Sequence, residues 1–261
     1  CPRLRSIAGA MRGFDNFDLE ACEARGIRYK FIPNLLAAPT AELTVAMLIS
    51  LARSMPAGDA FVRSGRFLGW RPKFYSKGVI NSTVGIVGMG QLGLEFTKRM
   101  QGFGATLLYN DPVRLEHSQE QCFGLNYVAF SELIERSDHL VVMVPLENNT
   151  LHLFNAEVLT RCKPGAVIIN PCRGSVVDEQ AVVKALETGH LAGYGADVFE
   201  MEDWARPDHP DCIPQGLLDQ RERTVLTPHI GSAVQAIRED IAMTAARNLK
   251  ALVQSTLSPI A

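Results

Sequence analysis

Val84-Gly85-Ile86-Val87-Gly88-Met89-Gly90-Gln91-Leu92-Gly93 decides the architecture of this chain. A short apolar run, β-branched at three of its four positions, leads straight into G-x-G-x-x-G and on into an amphipathic segment, Gln91 to Met100. Strand, glycines and helix in that order turn the glycine pattern into a dinucleotide-binding turn rather than a flexible loop. Each glycine has its own task. Gly88 permits the tight turn, Gly90 removes a side chain where backbone must approach a pyrophosphate, and Gly93 lets helix and strand pack closely. The helix start offers unpaired N–H groups to the phosphates. The next strand ends at Asp111, 18 residues beyond Gly93, near the spacing of the acid that accepts a ribose 2′-OH. A carboxylate there repels a 2′-phosphate, so the pattern selects NAD over NADP, although Arg114 stands close by.

Working outward, apolar runs recur over residues 106–109, 140–144, 166–169 and 194–198, apolar throughout as strands covered on both faces must be. Amphipathic segments over 131–136 and 178–188 lie between them, the second opening on Asp178 and Glu179 and closing before Gly189. This alternation predicts an α/β fold, a doubly wound parallel-sheet (Rossmann) domain running to about Thr227. Ahead of it the pattern predicts short strands over 4–8 and 29–32 around a helix over 19–25. A long helix follows Pro39, with Thr40 as N-cap, and Pro56 either kinks it or joins two helices. A last helix spans about 232–253. The expected division is a partial, discontinuous substrate-binding lobe, 1–38 with 230–261, and an NAD-binding domain with its connecting helix, 39–229.

Composition narrows the function classes. The chain has 261 residues, 47% hydrophobic and 21% charged, which excludes a disordered, collagen-like or disulfide-scaffold protein. Its 26 Lys and Arg against 28 Asp and Glu leave a net charge of −2, so no general field draws it to nucleic acid or an anionic membrane. An anionic ligand must be held locally. The six cysteines are dispersed with no C-x-x-C pair, which reads as reduced thiols in a cytoplasmic protein without a structural metal. The longest apolar stretches, near 43–52 and 140–145, fall short of the roughly 18 residues of a membrane span.

Three polar residues follow strands, where a doubly wound sheet places its ligands. Arg173, in Asn170-Pro171-Cys172-Arg173-Gly174-Ser175, offers a fork for an anionic substrate. Glu202 lies past the strand ending near Phe199, and His229 sits in Thr227-Pro228-His229-Ile230-Gly231-Ser232 before the last helix. An imidazole oriented by a carboxylate is an acid–base catalyst.

Arg173, Glu202 and His229, in that order behind the glycine turn, resemble the D-isomer-specific 2-hydroxyacid dehydrogenases over nearly the whole chain. Within that family the segments 13–18, 61–65 with 69–70 and 74–75, 170–179 and 197–206 resemble its phosphonate dehydrogenase branch, which oxidises phosphite to phosphate with NAD. In the last of these, Asp203-Trp204 follows Glu202 where hydroxyacid dehydrogenases commonly have Pro.

The resemblance implies that Arg173, Glu202 and His229 are catalytic, and that Arg12, in place of a Lys, binds substrate with Trp70, Tyr75 and Arg238. It adds Gln91, Leu92, Pro145, Cys172, Asp197 and His229 to Gly88, Gly90, Gly93 and Asp111 around the cofactor, Asp197 near the nicotinamide. Cys172 has no local His to make it a nucleophile. It further implies a homodimer, with the helices near 40–64 as the suspected surface, and several dozen residues ahead of the point matching Cys1. Two other functions share these residues: a D-2-hydroxyacid dehydrogenase, and a non-catalytic NAD-sensing binding module.

Overall fold

The computed structural model describes residues 1–11, 13–32 and 34–257. It opens with β1 (Ser6–Ala8), α1 (Leu19–Ala24) and β2 (Arg28–Lys30), the two strands pairing in parallel with Ile7 opposite Tyr29. Asp18 caps α1 by accepting the Ala21 N–H at 2.8 Å.

Two helices follow, α2 (Ala37–Ala52) and α3 (Met55–Arg63), bent by 64°. Ser54 between them is left-handed at φ 51°, and Pro56 sits in the first turn of α3, so the proline marks a join between two helices. Thr40 is not the N-cap. Leu36 holds that position, and the Thr40 hydroxyl donates to the Leu36 carbonyl at 2.7 Å from inside the helix. Pro39 does not delay the start, because first-turn N–H groups have no intrahelical acceptor and its missing one costs nothing there.

The parallel sheet then builds through β3 (Thr83–Val87), α4 (Gln91–Met100), β4 (Thr106–Asn110), α5 (His117–Phe123), β5 (Leu125–Tyr127) and α6 (Phe130–Arg136). It continues through β6 (His139–Val142), α7 (Ala156–Arg161), β7 (Ala166–Asn170), α8 (Glu179–Glu187) and β8 (Leu191–Ala196). The chain closes with α9 (Gln215–Asp219), β9 (Thr224–Leu226) and α10 (Gln235–Leu257). Strand order is β5-β4-β3-β6-β7-β8-β9, all parallel. The order reverses at β3, with β4 on one side and β6 on the other, and a crevice for a ligand opens at the carboxyl ends of β3 and β6.

Two apolar layers hold the sheet. Met47 and Leu48 of α2 pack with Phe96, Ile86 and Tyr109 on one face. Leu140, Phe154, Leu186 and Tyr194 fill the other. Each such side chain contributes about 1.5–3 kcal/mol through burial. No single helix among the described residues is long and apolar enough to cross a membrane; α2 and α3 meet that composition only as a bent pair, and α2 turns its apolar face to the sheet. At the far end α10 packs on β1 and β2, where the Arg28 guanidinium donates to the Leu252 carbonyl, so the first and last elements meet.

Candidate active site and dinucleotide cleft

Gly88 leaves β3 at φ +95° with its N–H on the Asn110 carbonyl at 2.8 Å. A Cβ on it would stand 2.5 Å from the Met143 carbonyl oxygen, just past β6, so only glycine lets the chain turn at the switch point. A Cβ on Gly93 would stand 2.5 Å from the Gly88 carbonyl, the close helix–strand contact expected of it. Gly90, at the N-cap of α4, differs: a Cβ there would meet nothing within 4 Å. Its missing side chain leaves room in front of the first turn of α4, which has no side-chain cap, and Gln91 and Leu92 present their N–H groups there. The cradle fits a pyrophosphate.

Asp111 stands one residue past β4, its Oδ2 accepting the Met89 N–H at 2.7 Å and its Oδ1 the Val113 N–H at 2.8 Å. These bonds fix the carboxylate beside the glycine turn, where each oxygen keeps a further lone pair for a ribose hydroxyl. Pro145 follows β6 at the same rim, with its carbonyl accepting the Thr150 hydroxyl at 2.7 Å.

At the carboxyl ends of β7, β8 and β9 the structure brings together Arg173, Glu202 and His229. β8 ends at Ala196, earlier than the apolar run suggested, and Glu202 lies in a 3-10 turn, Glu200–Glu202. Its Oε2 lies 2.6 Å from His229 Nδ1, and its Oε1 accepts the Phe199 N–H at 2.8 Å. The carboxylate accepts, so Nδ1 carries the proton and Nε2 is the nitrogen free for chemistry. The hydrogen bond from Glu202 raises the His229 pKa above its usual value against the opposing effect of burial. His229 also holds a left-handed backbone, φ 53°, a costly conformation for a residue with a Cβ.

Asp197 makes that conformation possible. Only 1% exposed, it accepts the Thr227 hydroxyl (2.6 Å) and the Ile230 N–H (2.8 Å) on Oδ1, and the Gly231 N–H (2.7 Å) on Oδ2. Its carboxylate clamps the loop on both sides of His229, a positioning task that the sequence reading missed.

Arg173 has a partner from the opposite end of the chain. Asp15 spans its Nε and Nη2, each at 2.9 Å, and Nη1 donates to the Cys172 carbonyl at 2.7 Å. Burial works to raise the Asp15 pKa, but the Arg173 hydrogen bond and charge hold it below the ordinary value. Of the five guanidinium N–H groups, one on Nη1 and one on Nη2 remain without a partner among the described residues. Asn16 next door accepts the Ala205 N–H at 3.0 Å, so the loop after β1 docks on the turn carrying Glu202 as well as on Arg173. Asp15 and Asn16 are site residues whose only trace in the sequence is the segment Gly13-Phe14-Asp15-Asn16, and nothing local joins Asp15 to an arginine 158 residues away.

Other expected site residues are not gathered here. Trp70 and Tyr75 are 80% and 85% exposed on the segment after α3, with no ring or hydrogen-bond contact to Arg173, Glu202 or His229 among the described residues. The segment carries too few apolar contacts to fold inward; its ordered feature is Phe74 edge-on to Phe61, with Lys73 over both rings. Arg238 is exposed on the first turn of α10, 3.4 Å from the Ser232 hydroxyl. Cys172 is half-buried and packs against the apolar layer under α2. Arg12 lies outside the described residues.

Residues 45–231 match the family model described as D-isomer specific 2-hydroxyacid dehydrogenase, NAD binding domain. The chain is 38% identical over 263 residues to glyoxylate reductase from Thermococcus litoralis, covering 99% of this chain and 76% of that one. It is 39% identical to glyoxylate reductase from Pyrococcus horikoshii with the same coverage. A solved D-lactate dehydrogenase from Aquifex aeolicus, complexed with NAD and lactic acid, is similar with a TM-score of 0.87 and 28% identity, over 98% of this chain and 78% of that one. The cofactor is NAD. The phosphite branch gains no support from these relatives, whose names are those of 2-oxo and 2-hydroxy acid enzymes.

Proposed function

The chain belongs to the D-isomer specific 2-hydroxyacid dehydrogenase family, and on that premise we propose that it interconverts a small 2-oxo acid and its 2-hydroxy acid with NAD, glyoxylate being the first substrate to test. The observation that carries this reading is His229 Nδ1 bound to Glu202 at 2.6 Å beside an Arg173 that keeps two N–H groups for an anion. Arg173 binds the substrate carboxylate through those groups. The 2-oxo oxygen then lies toward His229 Nε2, which donates its proton as charge develops on that oxygen during reduction and takes it back from the hydroxyl during oxidation. Glu202 holds the ring in one tautomer and stabilises the imidazolium; Asp15 keeps the guanidinium aimed. Bound reduced cofactor supplies the hydride. With this activity goes a homodimer, for which α3 and the segment after it offer exposed Met55, Val62, Phe67 and Leu68; analytical ultracentrifugation reads its mass.

A second reading, phosphite oxidation, rests on the resemblance of four segments, of which the turn after Glu202 is the most telling. Asp203 follows Glu202 and, 3% exposed, accepts the Ser175 N–H at 2.8 Å, tying the turn of Glu202 to the residues after Arg173. In that reaction the P–H hydrogen leaves as hydride to NAD and water supplies the new P–O bond, with neutral His229 taking the proton of the water.

NADH absorbance separates the readings. NADH consumption with glyoxylate or pyruvate and none formed with phosphite is expected; NADH formed with phosphite alone overturns the first reading in favour of the second. Absence of turnover with these and with other small 2-oxo acids, while NAD still binds, would favour the non-catalytic module.

A further inference from the structure

Beside the ribose-binding end of the cleft, four side chains form a closed circuit. Tyr109 lies on β4 two residues before Asp111 and is fully buried, its hydroxyl donating to Glu120 Oε1 at 2.7 Å and accepting the Leu115 N–H at 2.9 Å. Glu120, 5% exposed on α5, takes Arg114 Nε on Oε1 at 2.8 Å and Nη2 on Oε2 at 3.0 Å. The Arg114 guanidinium lies 5.2 Å over the Tyr127 ring. That ring meets the Tyr109 ring edge-on at 5.3 Å, which completes the circuit. His117 Nδ1 stands 3.8 Å from Glu120 Oε2 and adds a positive charge when protonated.

An arginine three residues past the acid at this strand end is placed where dinucleotide sites accommodate a 2′-phosphate. Here it is turned to α5 and held by a bidentate carboxylate and an aromatic face. Its departure would strip a buried carboxylate of its counter-ion, a costly loss.

We propose that Glu120 is a cofactor-specificity residue acting through Arg114: it latches the guanidinium to α5, so that a 2′-phosphate meets the Asp111 carboxylate and no cation. The inference rests on the NAD site and is independent of which acid is reduced. Asp111 and Glu120 thus discriminate jointly, one by repulsion and one by withholding the compensating charge.

Calorimetry of 2′,5′-ADP and 5′-AMP binding to the full chain tests this without turnover, nicotinamide or substrate. Asp111→Ser supplies the background in which a 2′-phosphate is tolerated. Adding Arg114→Ala should change 2′,5′-ADP affinity by no more than about twofold while Glu120 is intact, yet cost about tenfold once Glu120→Gln is also present, as one charge-assisted bond to phosphate requires. Within the Asp111→Ser background, 5′-AMP affinity should not change on adding Arg114→Ala or Glu120→Gln, which separates this result from loss of the site itself. An equal effect with and without Glu120→Gln, including no effect in either, overturns the proposal. Should Glu120→Gln fail to fold, Glu120→Asp takes its place in the same comparison, and a tenfold loss on Arg114→Ala with Glu120 intact refutes the latch in either case.

Discussion

Glu179 opens α8 beneath the site and is 1% exposed. Its Oε1 accepts the Glu200 N–H at 2.9 Å, while its own N–H donates to Glu200 Oε1 at 3.1 Å. This reciprocal pair fastens the helix start to the turn that carries Glu202. Glu179 Oε2 has no hydrogen-bond partner among the described residues. Burial, reinforced by the charges of Glu200, Asp203 and Glu202, pushes the Glu179 pKa up to about 8 against the lowering effect of the Glu200 backbone bond. At neutral pH the folded protein therefore keeps a proton that the unfolded chain has released. Its folded pKa lies above its unfolded one, so stability falls as pH rises from the ordinary value of 4.5 toward 8. At pH 7 the cost is about 3–4 kcal/mol, from roughly 2.5 pH units at about 1.4 kcal/mol each. Glu179→Gln stays neutral at every pH and keeps an acceptor for the Glu200 N–H, so this slope should vanish in the variant. The new amide N–H groups lack an acceptor and set a constant cost of about 1–3 kcal/mol, which shifts the curve without tilting it. Urea unfolding at intervals from about pH 5 to about pH 8 measures the effect. The difference between variant and parent should grow by about 3 kcal/mol in the variant's favour across that range. Parallel curves would refute a buried, protonated Glu179.

Glu202→Gln removes the hydrogen bond and charge that raise the His229 pKa; in a pH profile of glyoxylate reduction, the descending limb should move to lower pH, since reduction needs the protonated ring, and kcat should fall about a hundredfold or more. Asp15→Asn frees a guanidinium that Asp15 spans at 2.9 Å. Steady-state kinetics should show KM for the oxo acid rising about tenfold with kcat little changed, as expected when uniform binding is lost. Gly93→Ala places a methyl group 2.5 Å from the Gly88 carbonyl; it should cost about 1–3 kcal/mol in urea unfolding, and weaken NADH binding by fluorescence titration more than it weakens binding of the acid.

The sheet was legible because its signals are local. Strands buried on both faces must be apolar along their whole length, and Gly88, Gly90 and Gly93 answer steric demands set by their own turn. α4 begins and ends where its periodicity places it. Boundaries shifted where two local preferences compete: Thr40 makes a good cap, but Pro39 is tolerated in a first turn and the N-cap of α2 is Leu36, four residues earlier. Among the polar residues, Arg173, Glu202 and His229 stood out because strand ends are where this architecture presents ligands. Trp70 and Tyr75 are expected at the site from the family resemblance alone, and both lie on the surface.

Sequence alone determined the alternation of strands and helices, the glycine cradle and the three candidate residues at strand ends, since each is read from neighbours a few positions away. Only the tertiary structure decided how those residues are held. Asp15 reaches Arg173, Asp197 clamps the loop of His229, and Glu120 turns Arg114 from the cleft. A charge's partner is set by which buried surfaces come together, and a hydrogen bond between distant residues leaves no period or spacing in the chain that makes it.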